Sequence, residues 1–425
     1  MNPIIKTKIP GPKSKIILNK LKKLNLAYSG TYPFVHSKKG QGCYFQDIDN
    51  NWFLDFGSQI SSLPLGYNHP ELNKIINKKK QHPVKYAGQD FTIEEHLKLI
   101  EELTTITPKN LNSAFLVNSG AEAVENCLKI ALKQKHKARF GISFKNSFHG
   151  RTLGALSCTA SKKVQKKNFF TIPVKHIAYD ESSIEKLNSV IKVHDSKKIG
   201  FVIIEAIQGE GGYNVAPKNL LKKLRIITKT NNIPLILDEV QSGLARTGKW
   251  WAHQHFNIQP DVMSSAKALQ VGAAITNKSW SPEQGSISST WGGGHVIDLA
   301  VGLKTIQIIK KNKLLSNINK QGNYLIKNLK QLEITNIRGK GLMLAFDLNS
   351  KDERNNFVIE CLKQGLVILG CGNQGVRLIP PYIIKQNEIN QALEIIESSL
   401  KTVRNSNFSH KGFICNYLDC GNRHR

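Results

Sequence analysis

Three short stretches of the sequence place polar side chains directly after apolar runs, where buried β-strands would end. The stretches are "FLVNSGAEAVENC" (115–127), "PLILDEVQ" (234–241) and "PDVMSSAK" (260–267). In the first, the apolar run leads into the small residues Ser119 and Gly120. In the second it leads into Asp238, and in the third into Lys267. Ligands of open α/β sheets bind at the carboxyl ends of the strands, so these groups are candidates for one site.

Each group has a chemical use and a plain structural alternative. A turn of small residues leaves the first N–H groups of the next helix open to bind phosphate, although Ser119 could simply cap that helix. A buried Asp238 needs a cation or strong donors, although it could also cap a helix. Burial lowers the pKa of an amine and makes Lys267 a nucleophile towards carbonyl groups, although a lysine can also extend to the surface.

Together the three groups match one cofactor. A cofactor with a phosphate, a protonated ring nitrogen and an aldehyde needs a phosphate-binding turn, a carboxylate and a nucleophilic lysine. Pyridoxal phosphate carries those three groups, and proteins bind it through a Schiff-base lysine and an acidic partner for the ring nitrogen. The sequence therefore predicts a pyridoxal-phosphate site at the edge of a sheet.

The elements that must position these groups are indicated by the apolar pattern of residues 90–305. Short apolar runs alternate there with longer helical stretches, which predicts a largely parallel sheet covered by helices on both faces. In the helix after the small-residue turn, Val124, Cys127, Leu128 and Ala131 follow the i, i+3, i+4, i+7 pattern of one buried face. The predicted strands are "AFLV" (114–117), "GISF" (141–144), "FVIIE" (201–205), "LILD" (235–238), "DVMS" (261–264) and "GAAIT" (272–276).

Outside this region the pattern predicts a second, smaller domain. "GCYFQDIDNNWFLDF" (42–56) is typical of a β-hairpin around a "DIDNN" turn. A late amphipathic helix has Ile389, Leu393, Ile396 and Leu400 on one face. The predicted division is an N-terminal arm and hairpin (1–65) that joins the small domain, a large cofactor-binding domain (66–305), and a C-terminal small domain with a basic tail (306–425).

Composition narrows the class of protein. A chain of 425 residues that is 40% hydrophobic suits one large globular unit or two domains. The net charge is +29, but the lysines lie in short scattered groups, so no nucleic-acid partner is expected. No run approaches the roughly 18 apolar residues of a membrane span, and the start lacks the apolar core of a signal peptide. Seven scattered cysteines argue against a disulfide framework, which favours a cytoplasmic protein.

The chain resembles the class III aminotransferases of the fold type I pyridoxal-phosphate enzymes from about Gly42 to about Tyr382. The resemblance implies an α/β fold, in which helices sandwich a mostly parallel seven-stranded sheet in the large domain and the chain termini form a smaller α+β domain. It also implies the transfer of an amino group from an amino acid to the cofactor and then to a keto acid. The matching stretches are "NSGAEAVENCLKIA" (118–131), "FHGRTLGALS" (148–157), "EAIQGEGGYNVAP" (205–217), "LDEVQSGLARTGKWWA" (237–252), "PDVMSSAK" (260–267), "STWGGGH" (289–295) and "GVRLIPPY" (375–382).

The resemblance also implies roles at the cofactor. Lys267 would form the Schiff base and move protons on the substrate carbon, and Asp238 would keep the pyridine nitrogen protonated. Gln241 would contact the ring hydroxyl, while Phe148 and Val240 would lie against the two faces of the ring. The remaining implied contacts are Ser119, Gly120 and Ala121 at the phosphate, His149, and Thr290 from the neighbouring subunit. That last contact implies a homodimer.

Further positions resemble substrate contacts of the family. Arg151, in "FHGRT", resembles the arginine that holds the carboxylate remote from the reacting amine, although it could form a structural ion pair instead. Arg377, in "VRLIPP", resembles the arginine that binds the α-carboxylate of 2-oxoglutarate, since a guanidinium fits a planar carboxylate. Glu205 resembles the partner that neutralises Arg377 while an ω-amine is bound. The other implied substrate contacts are Gln59, Ile60 and Glu210.

This set of residues fits an amino donor with a distal amine. "EAIQGEGG" and "ARTGKWWA" favour 4-aminobutyrate, while "KALQV" followed by "SSTWGG" favours lysine reacting at its ε-amine. Acetylornithine and ornithine are further candidates. Ala206 replaces the usual proline of the family and "KALQVG" replaces a glycine-rich run, which leaves the donor open. A racemase or aminomutase on the same fold is an alternative reaction, but a racemase would not need the pair of Glu205 and Arg377.

The C-terminal stretch "HKGFICNYLDCGNRHR" (410–425) contains Cys415, Cys420 and His424, with His410 upstream. A zinc site needs about four such ligands. The spacing matches no recognised zinc finger, so no metal is predicted.

Overall fold

The computed structural model describes residues 1–26, 32–83, 85–88, 90–287, 291 and 293–405. The chain forms two compact units. One comprises Met1–His69 together with the described residues from Asn317 onward, and the other comprises Pro70–Ser316.

Strands and helices alternate along much of the chain. The strands are β1 (His36–Gln41), β2 (Tyr44–Asp47), β3 (Trp52–Asp55), β4 (Ser113–Val117), β5 (Phe140–Phe144), β6 (Val174–Ile177), β7 (Ile199–Glu205), β8 (Leu235–Asp238), β9 (Val262–Ser265), β10 (Gly272–Thr276), β11 (Thr335–Lys340), β12 (Met343–Asp347), β13 (Leu366–Val367), β14 (Leu369–Cys371) and β15 (Gly375–Leu378). The helices are α1 (Pro12–Leu24), α2 (Ser58–Ser61), α3 (Pro70–Lys79), α4 (Glu94–Thr104), α5 (Gly120–Lys133), α6 (Leu153–Cys158), α7 (Ser182–His194), α8 (Leu220–Thr230), α9 (Val296–Lys311), α10 (Leu314–Leu329), α11 (Lys351–Lys363) and α12 (Gln386–Asn405).

The Pro70–Ser316 unit is built on a seven-stranded sheet with the order β4-β10-β9-β8-β7-β5-β6. The strands from β9 to β6 are parallel, whereas β10 is antiparallel to both of its neighbours. The predicted α/β class with a mostly parallel seven-stranded sheet is thus confirmed. The reversed direction of β10 was not predicted, because a short apolar run carries no information on strand direction. Strand β6, "VKHI", was missed because half of its residues are polar.

Both faces of this sheet are buried, as the continuous apolar strands predict. Along β7, Val202 and Ile204 pack into one apolar cluster with residues of α7 and α8. Phe201 and Ile203 point to the opposite face and pack with α5. The four periodic positions of α5 are all buried, which confirms the predicted helix and its inward face; they are Val124, Cys127, Leu128 and Ala131.

The other unit contains two four-stranded sheets, with the orders β1-β2-β3-β13 and β11-β12-β15-β14. The predicted hairpin is present as β2 and β3, with Phe45 opposite Phe53. Its turn is closed by Asp47, whose Oδ1 accepts from the N–H groups of Asp49 (2.9 Å) and Asn51 (2.8 Å). In α12, Ile389, Ile396 and Leu400 are buried and Leu393 is half-buried, so the predicted inward face is also confirmed.

None of the helices within the described ranges is long and apolar enough to cross a membrane. Among the same residues there is no group of three or more metal-ligating side chains, and the candidate tail ligands at 410–425 lie outside them. Five cysteines of the described part of the chain are buried and form no disulfide bond there: Cys43, Cys127, Cys158, Cys361 and Cys371.

Candidate active site

A buried carboxylate and an imidazole form the centre of the candidate site. Asp238 ends β8, and its Oδ2 lies 2.7 Å from Nδ1 of His149. The other oxygen, Oδ1, accepts from the Ser264 hydroxyl (2.9 Å) and from the N–H of Val240 (3.0 Å). These donors satisfy the requirement that a buried carboxylate be hydrogen-bonded. A carboxylate oxygen accepts about two hydrogen bonds, so Oδ2 can still accept from one further donor.

Parallel pairing brings this centre together. Glu205 on β7 pairs with Asp238 on β8, and Asp238 pairs with Ser264 on β9. The loop after β5 supplies His149. The backbone N–H of His149 donates to the Thr159 hydroxyl (2.9 Å). The Nε2 atom of the same imidazole is buried and has no hydrogen-bond partner in the part of the chain that the structure describes.

The small-residue turn before α5 lies directly against the residues that follow Asp238 and precede Lys267. A Cβ atom on Gly120 would lie 2.9 Å from Val240 Cγ1 and 3.4 Å from Ala266 Cβ. A Cβ atom on Gly272 would lie 2.2 Å from the Ser119 carbonyl oxygen, so only glycine allows β10 to pass so close to the turn. The three features predicted from separate stretches are therefore brought together.

Ser119 is the N-cap of α5. Its hydroxyl accepts from the N–H of Glu122 (3.2 Å), and the Glu122 carboxylate accepts from the N–H groups of Asn118 (2.7 Å) and Ser119 (3.1 Å). The simple capping alternative for Ser119 is thus realised. Capping leaves other donors at this helix end available. The N–H groups of Gly120 and Ala121 are the first of the helix, so they have no intrahelical acceptor and can bind phosphate.

Lys267 begins a short 3₁₀ turn just after β9. Its φ of 49° is in the left-handed region, which is disfavoured for a side chain with a Cβ atom. The turn is closed by Gln270, whose N–H (2.9 Å) and side-chain amide (3.0 Å) both donate to the Lys267 carbonyl. The expectation that Lys267 is buried needs correction, because it is half-buried between buried Ala266 and Ala268. The strand ends two residues earlier, so the lysine reaches the open edge of the sheet.

The loop after Asp238 carries Val240 and Gln241 and is held in place by Glu239. This buried carboxylate accepts from the Ser242 hydroxyl (2.6 Å) and from the N–H groups of Ala252 (3.0 Å) and His253 (2.8 Å). Burial raises the pKa of Glu239 to about 7. A Cβ atom on Gly209 would lie 2.9 Å from the Gln241 amide, which places that side chain beside the loop after β7.

Glu205 is buried at the end of β7 and holds two neighbouring loops. Its carboxylate accepts from the N–H of Phe148 (3.1 Å) and from the N–H of Gly209 (2.9 Å). Burial raises the pKa of Glu205 to about 7; the nearby charge of Asp238 adds to this effect and His149 opposes it. The first of these bonds holds the backbone of half-buried Phe148, the residue before His149, and Glu210 is half-buried in the loop after Gly209.

The remaining predicted contacts lie in several separate elements of the chain. Arg151 is exposed, in the loop between β5 and α6. Arg377 is buried in β15 of the other unit. Gln59 and Ile60 lie in that same unit, in the turn α2, where all four residues have positive φ angles. Thr290 lies outside the described residues, so its predicted contact is not tested.

The Gln59 turn is supported by its own unit. Asp55 Oδ1 accepts from the N–H groups of Gly57 (2.7 Å) and Ser58 (2.9 Å), and Asp55 Oδ2 accepts from the Tyr67 hydroxyl (2.8 Å). The Gln59 side chain donates to the same hydroxyl (3.1 Å). Runs of left-handed non-glycine residues are costly and occur where the surrounding structure holds them, often at functional sites.

The residues in the Pro70–Ser316 unit fit pyridoxal phosphate. The α5 N-terminus would hold the phosphate, Asp238 would accept from the ring nitrogen, and Lys267 would bind the aldehyde carbon. Phe148 and Val240 offer apolar contacts next to this set. The fit rests on the open helix N–H groups, the remaining acceptor capacity of Asp238 and the short distance between Gly120 and Val240.

Comparison with known proteins agrees with this geometry. The model of the family "Aminotransferase class-III" matches residues 27–400. The chain belongs to the class III aminotransferases. This family depends on pyridoxal phosphate, as the site residues predict.

Two curated relatives of this aminotransferase differ in the substrate that they are named for. An acetylornithine aminotransferase from Aquifex aeolicus is 35% identical over 85% of this chain and 96% of its own length. A 4-aminobutyrate aminotransferase from Dictyostelium discoideum is 32% identical over 94% of this chain and 91% of its own length. The solved lysine aminotransferase from M. tuberculosis superimposes with a TM-score of 0.85 over 92% of this chain and 99% of that one; at 24% identity it shows the shared fold.

Sequence reasoning missed several residues of the aminotransferase site. Ser264 lies inside a predicted strand, and only the register of β8 and β9 shows that it faces Asp238. Glu239 and Thr159 act through hydrogen bonds to segments distant in sequence. A signal for Glu239 was available, since a charged residue directly after a buried strand is rarely free of partners.

We expect Glu239→Ala to lower the free energy of unfolding by about 3 kcal/mol at pH 6, where the carboxyl group is mostly protonated. The substitution leaves a hydroxyl and two N–H groups buried without an acceptor, at about 1 kcal/mol each. Urea denaturation of the cofactor-free protein measures the effect. Glu94→Ala is the matched control, because Glu94 is exposed and forms a surface ion pair with Lys98 on the same helix. Equal midpoints for the two variants would contradict the role of Glu239.

We expect Glu205→Gln to flatten the pH dependence of stability. The folded protein keeps the Glu205 proton up to a pKa of about 7, whereas the unfolded chain releases it near pH 4.3. Stability from this group is therefore complete below that lower pKa and is lost as the pH rises to 7. The full loss amounts to about 4 kcal/mol, at about 1.4 kcal/mol for each unit of the difference in pKa.

The check is the difference in unfolding free energy between pH 5 and pH 8 for the cofactor-free wild type and Glu205→Gln. Glu94→Gln serves as the control, because its carboxylate is exposed. Parallel pH profiles for wild type and Glu205→Gln would show that the pKa of Glu205 is ordinary.

Proposed function

We propose that this aminotransferase moves the ω-amino group of an amino acid to 2-oxoglutarate through two half-reactions at one site, with pyridoxal 5′-phosphate as cofactor. The observation that carries the proposal is the convergence of three groups in the Pro70–Ser316 unit. Lys267, Asp238 and the α5 N-terminus adjoin one another at the carboxyl ends of parallel strands.

The residues of the chain divide the chemistry among them. When bound, pyridoxal phosphate supplies a ring that accepts the electrons left when a proton leaves the amine-bearing carbon. Lys267 would hold the resting cofactor and, once a donor amine displaces it, would remove and return that proton. Asp238, oriented by His149, would hold a proton on the ring nitrogen. The helix dipole and N–H groups at the start of α5 would anchor the phosphate while the lysine is free.

The choice of an ω-amino donor rests on the implied carboxylate contacts. Arg151 lies in the loop that follows His149, which suits it to bind a carboxylate remote from the reacting amine. Glu205 would neutralise Arg377 during the first half-reaction and release it for the α-carboxylate of 2-oxoglutarate in the second.

4-Aminobutyrate is the proposed donor. It has the single distal carboxylate that Arg151 would bind, and the Dictyostelium relative of that name covers 94% of this chain. N-Acetylornithine is the second candidate, since the Aquifex relative named for it is 35% identical. Lysine and ornithine follow.

We also propose that the enzyme works as a homodimer in the cytoplasm, with Thr290 reaching the neighbouring site. The proposal of a dimer rests on the resemblance of the stretch "STWGGGH" (289–295), where the family places a residue that completes the neighbouring subunit's phosphate site. The five buried cysteines of the described residues are not joined in disulfides, which is compatible with a reducing compartment.

The donor can be identified by mixing the purified, cofactor-loaded enzyme with each amine alone and no keto acid. The amino group then stays on the cofactor, and the yellow absorbance of the loaded enzyme bleaches. We expect 4-aminobutyrate to bleach it faster than N-acetylornithine or lysine. Lys267→Ala is the control and should show neither the normal yellow band nor bleaching.

Faster bleaching by N-acetylornithine or lysine would identify that amine as the donor and leave the proposed reaction unchanged. A wild-type protein that shows no yellow band after pyridoxal phosphate is added would contradict the proposed cofactor site as a whole.

A further inference from the structure

One face of α5 contacts the loop that carries Arg151. Ala121 and Glu125 are four residues apart and therefore lie on the same face of the helix, one turn from each other. Gly150 contacts the first of them, since a Cβ atom on this glycine would lie 2.9 Å from Ala121 Cβ. The φ angle of Gly150 is +135°, a conformation that favours glycine. The loop is thus fixed against the helix on the N-terminal side of Arg151.

Glu125 fixes the same loop on the C-terminal side of Arg151. Thr152 is the N-cap residue of α6, but within the described ranges its hydroxyl makes no capping bond to that helix. The hydroxyl instead donates to Glu125 Oε1 (2.5 Å), and the same oxygen accepts from the N–H of Ala155 in the first turn of α6 (2.9 Å). Glu125 therefore supplies from α5 the cap that Thr152 does not supply, with a negative charge at the end of the helix where it is favourable.

The contact between Glu125 and α6 depends on a second glycine. A Cβ atom on Gly154 would lie 2.2 Å from Glu125 Oε2. The carboxylate thus lies directly on the backbone of the first turn, where no larger residue would fit. This close contact leaves little freedom for the loop between the two attachment points.

We propose that Glu125 is a positioning residue for substrate recognition. By capping α6 it fixes the loop of Arg151 relative to α5, the helix whose N-terminus would bind the cofactor phosphate. The distance between the reacting carbon and the substrate's remote carboxylate is then set by one rigid helix. The inference rests on the carboxylate-binding role proposed above for Arg151.

A positioning role and a purely structural role predict different kinetics. Loss of a structural carboxylate lowers stability and slows every donor alike. Loss of a positioning carboxylate lowers the preference for a donor that has a carboxylate over one that lacks it, because a small displacement of a binding group is costly only for the substrate that uses it.

The test is a comparison of two donors, 4-aminobutyrate and propylamine, in the single-turnover bleaching of the loaded enzyme. The quantity measured is the ratio of their second-order rate constants. We expect Glu125→Ala, which removes the acceptor of both hydrogen bonds, to lower this ratio by about tenfold. Glu94→Ala, which removes an exposed carboxylate from another helix, should keep the wild-type ratio. An equal slowing of both donors by Glu125→Ala would overturn the inference.

A double-mutant cycle separates this inference from the proposal on which it rests. We expect Arg151→Ala to lower the donor ratio strongly and Arg151→Ala/Glu125→Ala to lower it no further, because Glu125 acts through Arg151. A wild-type ratio in Arg151→Ala would show that the proposed role of Arg151 is wrong. A reduced ratio in Arg151→Ala together with an unchanged ratio in Glu125→Ala would overturn the role of Glu125 alone.

A milder variant still tests the inference if Glu125→Ala fails to fold. Thr152→Val removes one of the two hydrogen bonds to Glu125 and keeps the one from Ala155. It should lower the donor ratio in the same direction by a smaller factor, while an unchanged ratio in a folded Thr152→Val would contradict the inference.

Discussion

The hydrogen bond between His149 Nδ1 and Asp238 Oδ2 (2.7 Å) is the interaction on which the candidate site depends. A carboxylate buried at the end of a strand is destabilising unless its oxygens are hydrogen-bonded. Here an imidazole, a hydroxyl and a backbone N–H share that task, and they come from three different segments of the chain. The register of β8 and β9 brings Ser264 to Asp238, and the loop after β5 brings His149, so the site forms only when this sheet forms. Burial raises the pKa of Glu205, and the nearby charge of Asp238 adds to the effect.

Close packing connects these hydrogen-bonded residues to the rest of the site. Glycines at positions 120 and 272 allow the turn before α5 to lie against Val240 and the start of β10. Further along, α5 contacts the Arg151 loop through Ala121 and Glu125. One helix thus touches the segments that would hold phosphate, ring and substrate. The left-handed φ angle of Lys267 contributes to this packing, because it forms the tight turn after β9 that brings the lysine to the open edge of the sheet.

The sequence predicts the parts of this site that follow from strand ends. Asp238, Lys267 and the Ser119 turn were found because an apolar run that stops at a polar residue marks the edge of a buried sheet. His149 and Glu205 came only from family resemblance, since their partners lie in other segments. Glu125 was not found, because nothing in a linear pattern shows that a charged residue caps a distant helix. Glu239 was missed although its position directly after a buried strand was a signal. Left-handed residues such as Lys267 and Gln59 are equally hidden, because neither is a glycine. The donor is not fixed by the motifs, and the relatives are named for different substrates.

The central claim is that Lys267 is the residue that binds pyridoxal phosphate. Reduction of the loaded enzyme with borohydride converts a lysine–cofactor C=N bond into a stable C–N bond, and mass spectrometry of a digest then locates it. The account predicts one phosphopyridoxyl group per chain, on the peptide that contains Lys267. Stoichiometric labelling of a different lysine, or no labelling of a protein that binds the cofactor, would contradict it.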